Sequence, residues 1–328
     1  TGASNVAIGH DALGENTTGA ANVAVGVGSL DANTTASNNT GVGFNALTAN
    51  TTGASNTSVG KSSSRSNTTG TQNSAFGFFA YASGTTGANN VAVGFAALDA
   101  NTTASNNTAV GASALSADTI GTSNVAVGTG ALAANTTASN NVAVGGDALL
   151  SNTTGTRLTA VGLNASRANT TSSSNTAFGT EALTSNTLGS HNTAIGDGSL
   201  KTFNVGSAAT TFNTAVGAGS GNVLTTGVQN TLVGAACGDA LTDADANTAI
   251  GIAALSTDTK GSKSVAIGSN ALNAQNFTSS TDSHNVAVGH LAGAAVTTGV
   301  ENLFLGSNTG SGNVVTSGSK NINIGHNA

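Results

Sequence analysis

The chain has 328 residues, of which 7% are charged and 3% aromatic, and it contains no Pro, Met or Trp. Ordinary globular proteins are about 25% charged. Its 8 Lys and Arg against 14 Asp and Glu give a formal net charge of −6, which leaves no basic surface for nucleic acid or anionic membranes. No apolar run approaches the ~18 residues of a membrane span, so membrane insertion is not expected.

A glycine recurs at a fixed spacing along the chain. The steps are all 17 residues from Gly9 to Gly196, and they continue at 17, 19 or 21 residues to Gly325, which defines nineteen coils. A chain rich in Gly, Ser, Thr and Asn can be disordered, but a disordered chain keeps no such register. The repeat therefore predicts an ordered solenoid in which each coil stacks on the next.

An asparagine stands four residues before this glycine in seventeen of the nineteen coils, as at Asn22, Asn56 and Asn124. Stacked in register, these side chains are expected to hydrogen-bond from coil to coil as a ladder.

An apolar strand motif follows this asparagine. The residue directly before the glycine is large and apolar in all nineteen coils, as at Val25, Val93 and Val144. Apolar positions two apart are typical of a strand with one buried face, so this row is expected to line the core. Glycines such as Gly26 and Gly94 are expected at the bends, where positive φ is needed.

Leucine recurs four residues after the glycine, as at Leu30 and Leu98, and is expected to share the core with the valines. Each coil then holds two short strands and two turns. The predicted fold is an all-β, parallel β-solenoid, or β-roll, of about nineteen 17-residue coils. It forms a single domain over 1–328, with regular coils in 1–196 and coils with insertions in 197–328. The plain Ala, Gly and Thr faces predict close packing of further copies, hence a homo-oligomer, most simply a trimer.

The Asn-Thr/Val-Ala-Val/Ile-Gly element, seen at 5–9, 124–128 and 192–196, resembles the head repeat of YadA-like trimeric autotransporter adhesins. The fuller unit with Asn-Thr-Thr-Gly, as at 50–53 and 152–155, resembles repeats of phage and marine virus tail fibres. The resemblance covers essentially the whole chain. It implies a left-handed, trimeric β-roll that serves as a scaffold, with a target that differs from case to case.

A second asparagine row belongs to the Asn-Thr-Thr motif, and each member is formally an Asn-x-Thr glycosylation acceptor. Asn and Thr also satisfy backbone groups at bends, so a turn-and-ladder role is the alternative. The candidate acceptors are Asn16, Asn33, Asn50, Asn101 and Asn135.

Paired threonines, such as Thr17/Thr18 and Thr34/Thr35, recur at the coil spacing and suggest an ice-binding solenoid as the runner-up function. Adjacent strand residues point to opposite faces, whereas an ice face needs both ranks on one side. This argues against the ice-binding interpretation.

Three phenylalanines, Phe44, Phe78 and Phe95, share the row directly after the glycine, with Phe79 and Tyr81 beside them. They predict an exposed apolar stripe, and a subunit interface is favoured over a receptor site.

The chain has few side chains that are suited to catalysis or to metal binding. His10, His290 and His326 share the row after the glycine, but His10 lies sixteen coils from His290, and the acidic cluster in 239–245 lacks the EF-hand spacing. Neither a cofactor nor enzymatic activity is expected. The extra residues of the long coils, within 201–211 and 273–283, are expected to protrude as loops. Three residues in or beside them, Phe203, Phe212 and Phe277, are weak candidates for ligand contact.

The predicted function is therefore a structural extracellular fibre or adhesin segment on a virion or cell surface. Such a segment spaces or presents a surface that binds a cell-surface glycan or protein receptor.

Overall fold

The computed structural model describes residues 2–312 and 316–328. These residues form no helix, and therefore none that is long and apolar enough to cross a membrane. They form a parallel β-solenoid of about nineteen coils, as the glycine spacing predicts. Each coil contributes one strand of three residues that ends at its spacing glycine.

The strands are named β1 to β23 in chain order. They are β1 (Val6–Ile8), β2 (Val23–Val25), β3 (Thr40–Val42), β4 (Thr57–Val59), β5 (Ser74–Phe76), β6 (Val91–Val93), β7 (Thr108–Val110), β8 (Val125–Val127), β9 (Val142–Val144), β10 (Thr159–Val161), β11 (Thr176–Phe178), β12 (Gly189–Ser190), β13 (Thr193–Ile195), β14 (Ala209–Thr210), β15 (Thr214–Val216), β16 (Thr231–Val233), β17 (Thr248–Ile250), β18 (Gly261–Ser262), β19 (Val265–Ile267), β20 (Thr281–Asp282), β21 (Val286–Val288), β22 (Leu303–Leu305) and β23 (Ile322–Ile324).

The chain divides into two compact units, an N-terminal unit, Thr1–Leu158, and a C-terminal unit, Thr159–Ala328. In the N-terminal unit β1 to β9 pair in chain order, all parallel, and Val25 lies opposite Val42. In the C-terminal unit the three-residue strands do the same. Equivalent residues therefore stack in register within each unit, which confirms the predicted register.

The expectation of two strands in every coil is wrong. A second strand forms only beside the two long coils of the C-terminal unit, where β12 pairs with β14 and β18 with β20. Elsewhere in the described residues the rest of each coil consists of turns and bends, whose backbone groups bond to the neighbouring coil.

The spacing glycines cannot be replaced by another residue without strain. All nineteen have φ between 124° and 140°, a region that only glycine enters readily. At Gly26 a Cβ atom would lie 2.5 Å from the carbonyl oxygen of Gly43 in the next coil. The fixed spacing in the sequence thus reflects a close backbone approach to the next coil, as at Gly26, and the positive φ expected at Gly26 and Gly94 is confirmed.

The expected inward face of the strands is wrong. Except in the end strands β1 and β23, the middle residue of each three-residue strand is buried, as at Ala24 and Ala92, whereas Val25, Val93 and Val144 are only half-buried and face outward. The interior of so small a coil has room for a methyl group opposite the leucines and not for a valine. Because strand residues alternate between faces, both valines of a Val-Ala-Val strand must then point out.

The leucine row lines the core as predicted, and Leu30 and Leu98 are fully buried. Eleven leucines of this row adopt φ between 48° and 55°. A left-handed conformation costs a non-glycine residue roughly 1–2 kcal/mol, while burying a leucine contributes about 1.5–3 kcal/mol. The turn aims the side chain into the core, so its burial offsets the backbone strain.

The first asparagine row, called here the upstream row, forms the predicted ladder with backbone groups as partners. The backbone N–H of Asn56 donates to Oδ1 of Asn39 at 2.9 Å, and Nδ2 of Asn56 donates to the carbonyl oxygen of Gly70 at 2.8 Å. Asn22 and Asn124 make the equivalent bonds, and their Oδ1 atoms accept from the backbone N–H groups of Asn39 and Asn141 in the next coil. Each buried amide therefore satisfies backbone groups of two bends, which a hydrophobic residue could not do.

Candidate functional site

The outward rows of the strands place apolar side chains at the surface of each unit. In the N-terminal unit Ile8 is 61% exposed and Phe76 41% exposed, and the valines between them are half-buried. In the C-terminal unit Phe178, Ile195 and Ile250 are exposed in the same row. In each unit the outward rows run the length of the sheet, because every coil contributes one residue to each row.

The aromatic residues of the row after the glycine come together in the N-terminal unit. The rings of Phe78 and Phe95 stack with centroids 5.8 Å apart and planes inclined by 8°. Nζ of Lys61 lies 5.8 Å from the centroid of Phe44 and 5.6 Å from that of Phe78. These four residues, Phe44, Lys61, Phe78 and Phe95, are called the aromatic stripe.

The aromatic stripe is flanked by a second ring and cation. Phe79 meets Phe78 edge-on at a centroid distance of 4.2 Å, and the guanidinium of Arg65 lies 5.0 Å from the ring of Phe79. Sequence reasoning grouped the rings but missed both cations. The signal was the period itself, since Lys61 stands one repeat from Phe44 and from Phe78.

Tyr81 does not belong to this surface, contrary to the expectation. It replaces the leucine of its coil, is 1% exposed, and accepts a hydrogen bond from Nδ2 of Asn90 at 3.2 Å. Burial raises the pKa of the Tyr81 hydroxyl to about 12. Its ring takes the space beside Gly84, where a Cβ atom would lie 2.2 Å from Cζ of Tyr81.

The glycosylation candidates are mostly inaccessible. Asn33, Asn50, Asn101 and Asn135 are completely buried, and Asn16 at the N-terminal end is half-buried. Nδ2 of Asn50 donates both to Oδ1 of Asn33 at 3.0 Å and to the carbonyl oxygen of Gly53 at 2.9 Å. A sugar on such an amide would have no room in the folded coil, so the geometry supports the turn-and-ladder role.

The threonine pairs do not form two exposed ranks. The first hydroxyl of each pair is used inside the solenoid, as where Oγ1 of Thr34 donates to the carbonyl oxygen of Thr51 at 3.2 Å and Oγ1 of Thr51 donates to that of Thr68 at 3.0 Å. The second threonine, such as Thr35 or Thr52, is exposed, whereas the first is half-buried in most coils and exposed in a few, as at Thr17. An ice-binding face built on these pairs would therefore have a single free rank.

The histidines and the acidic cluster stay apart. His10, His290 and His326 are exposed, and no group of three His, Cys, Asp or Glu residues placed to hold a metal occurs in 2–312 and 316–328. In the acidic cluster, Asp243 lies 3.6 Å from Nζ of Lys260, and Asp245 accepts a hydrogen bond from the backbone N–H of Val228 at 2.8 Å. Both acidic groups thus act within the coil stack.

The long coils hide most of their aromatic residues, which contradicts their predicted role in ligand contact. Phe203 is fully buried in the place of an asparagine of the Asn-Thr-Thr motif, whose asparagines are called here the downstream row, and Phe277 is 6% exposed. Only Phe212 is on the surface, at 56% exposure, with its ring centroid 5.5 Å from that of His191. The insertions therefore extend the core as well as the surface.

A scan against models of known protein families finds no match to this chain. No curated protein matches its sequence either.

Proposed function

We propose that the chain is a structural segment of an extracellular fibre or adhesin that associates with further copies of itself, most simply as a trimer. Its role is to space or present a surface that binds a receptor, without catalysis. The proposal covers a virion tail fibre and a cell-surface filament alike, because both need long, weakly charged repeats.

The outward face of the strands is the observation that carries this proposal. Soluble monomers rarely expose contiguous apolar patches beyond a few hundred Å², and larger patches mark interaction sites. Here the outward position directly before the spacing glycine is Val, Ile, Leu or Phe in every coil, as at Val93, Val127 and Ile250. Covering this row with the same row of another copy would remove the apolar surface from water and would match coil to coil.

Charge is compatible with such packing. The outward positions of the three-residue strands in both units carry only Val, Ile, Leu, Phe, Thr and Ser, so no like charges would oppose each other across an interface built on them. The interior leaves no room for a ligand either, because Ala, Leu and Asn rows fill it. Surface association is therefore the favoured role.

Sedimentation equilibrium of the whole chain tests the proposal. We expect a mass three times that of the 31.1 kDa chain. Val127→Glu in the outward row should shift the mass towards the monomer, because a buried unpaired charge at an interface is strongly unfavourable. The matched control is Thr103→Glu, at an exposed bend away from the strand, which should leave the mass unchanged. A wild-type monomer at tens of micromolar would contradict self-association.

A further inference from the structure

The lysine of the aromatic stripe, Lys61, differs from the other lysines in its ion pairing. Four of the five lysines lie within 4 Å of a carboxylate, as where Lys201 pairs with Glu181 at 2.6 Å and Lys320 with Glu301 at 3.7 Å. Lys61 has no such ion pair among the described residues, and its ammonium instead lies between the rings of Phe44 and Phe78. The stripe thus combines a positive charge without a carboxylate partner and exposed aromatic surface.

We propose that the aromatic stripe binds an acidic glycan, with sugar C–H groups against the rings of Phe78 and Phe95 and a sugar carboxylate paired with Lys61. This inference rests on the proposed function, since it names the ligand class of the presented surface. Phe44, Phe78 and Phe95 are 49%, 39% and 57% exposed, so all three rings are accessible.

The geometry of the stripe provides a place for a sugar ring. One face of Phe95 stacks on Phe78, and its other face looks towards the next coil, where the row holds only the methyl group of Ala112. The spacing of adjacent coils is ~4.8 Å, which is close to the length of one hexopyranose residue in a chain. Successive sugars of a glycan that runs along the stripe can therefore contact successive coils.

A second copy of the chain is a less suitable occupant of the stripe. In a parallel, in-register oligomer with this row at the shared axis, the Lys61 ammonium groups of all copies would meet at one level. Like charges brought together in this way cost several kcal/mol. The stripe is therefore assigned to the outside of the assembly and the outward strand rows to its interface.

An extended acidic peptide is also a poorer match. Peptides commonly bind a β-structure by adding a strand to a free edge. Strand β4 of the Lys61 coil is already paired with β3 on one side and β5 on the other. A peptide would have to bind through side chains alone, whereas a glycan needs only the rings and the cation.

Each single contact is weak. An exposed ion pair contributes at most about 1 kcal/mol, so one stripe alone should bind in the millimolar range. Several copies presented together on one assembly raise the apparent affinity by roughly 10²–10⁴. This is the reason that a repeated fibre suits such a site.

The test is isothermal titration of the whole chain with polygalacturonate and with its methyl ester, which has the same backbone and no charge. We expect binding of the acid form and a loss of about fivefold for the ester, the most that one exposed ion pair contributes. Lys61→Gln and Phe95→Ala should each weaken binding several-fold. The controls are Lys320→Gln and Ile252→Ala, an exposed residue in the same row of the C-terminal unit, and they should bind like the wild type.

Three outcomes would overturn the inference: no binding of polygalacturonate, equal binding of the ester, or equal losses in the control variants. Equal affinity for polyglutamate with no effect of Phe95→Ala would instead assign the stripe to acidic peptides. Sedimentation of the same samples separates this result from the proposed self-association. A trimer that binds no glycan would contradict only the glycan-binding inference. A monomer that binds the glycan would contradict only the proposed self-association.

Discussion

The regular coils of the N-terminal unit and the coils around Leu232 in the C-terminal unit fill the same kind of core in opposite ways. In the regular coils the strand contributes alanine and the turn contributes leucine, as with Ala92 and Leu98. Around Leu232 the strand contributes the leucine, and the turns on either side contribute Gly221 and Gly238. A Cβ atom on Gly238 would lie 2.8 Å from Cδ2 of Leu232.

The same exchange occurs a second time in the C-terminal unit. Phe304 occupies the strand position, and Gly293 and Gly310 occupy the turns, where added Cβ atoms would lie 2.8 and 2.3 Å from the Phe304 ring. In both places a large strand side chain therefore occupies space beside turns that carry only glycine, so the residue that fills the core changes. This agrees with cores that accept substitution when volume and pattern are kept.

The spacing glycines are common to both regions, and replacing one should have the largest effect. Gly94→Ala would place a Cβ atom 2.6 Å from the carbonyl oxygen of Gly111 at a φ of +132°. We expect a loss of about 3 kcal/mol or more in the free energy of unfolding, measured by urea denaturation. Gly206→Ala is the control, because nothing lies within 4 Å of its added Cβ atom. Equal stability of the two variants would refute the close approach.

The exchange around Leu232 predicts strong coupling between two residues. Leu232→Ala should cost about 3 kcal/mol by leaving a cavity, and Gly238→Leu should cost roughly 1–3 kcal/mol by overpacking. The double variant restores the regular arrangement and should be more stable than the sum predicts by at least about 1 kcal/mol. Additive unfolding free energies would show that the two side chains do not compete for one space. In the N-terminal unit, Leu98→Ala should cost a similar amount.

The sequence period predicts the features that are common to both kinds of coil, but it does not predict which residues fill the core. The coil count, the register and the bends at Gly26 and Gly94 follow from the sequence, because each is fixed by the spacing of one residue. The inward face of Val25 does not, since a Val-Ala-Val strand has the same alternation whichever face is buried. Only the width of the interior decides, and the sequence does not state that width.

The aromatic stripe was also predictable only in part. The common row of Phe44, Phe78 and Phe95 is visible in the sequence, but the position of a cation between two rings requires the fold. The left-handed leucines were missed because propensity rules assign positive φ to Gly and Asn. At Leu30 burial outweighs that preference.

The ladder of downstream asparagines predicts a pH effect confined to one coil of the N-terminal unit. Asp118 replaces an asparagine, is fully buried, and accepts hydrogen bonds from Nδ2 of Asn101 at 3.1 Å, Nδ2 of Asn135 at 2.8 Å and the backbone N–H of Gly121 at 3.1 Å. Burial raises the pKa of Asp118 from 3.8 to about 7 although these three donors lower it.

A folded-state pKa above the unfolded value means that the folded chain binds the proton more tightly. The stability that Asp118 contributes is therefore complete below pH 3.8 and is lost as the pH rises to about 7. Asp118→Asn should remove this slope and stabilise the chain at neutral pH by on the order of 2 kcal/mol. Urea midpoints at about pH 5 and about pH 8 measure the slope. A wild-type slope that persists in the variant would assign it to another group.

The smallest expected effect again contrasts the two units, at two serines that stand in the leucine row. Oγ of Ser64 in the N-terminal unit accepts a hydrogen bond from Oγ of Ser58 at 2.7 Å, whereas the buried Oγ of Ser166 in the C-terminal unit has no partner among the described residues. An unpaired buried hydroxyl costs about 1–3 kcal/mol. Ser166→Ala should therefore stabilise the chain by about 1 kcal/mol, while Ser64→Ala should destabilise it by a similar amount because Ser58 loses its acceptor. Urea midpoints that move in the same direction for both variants would show that the two hydroxyls have the same environment.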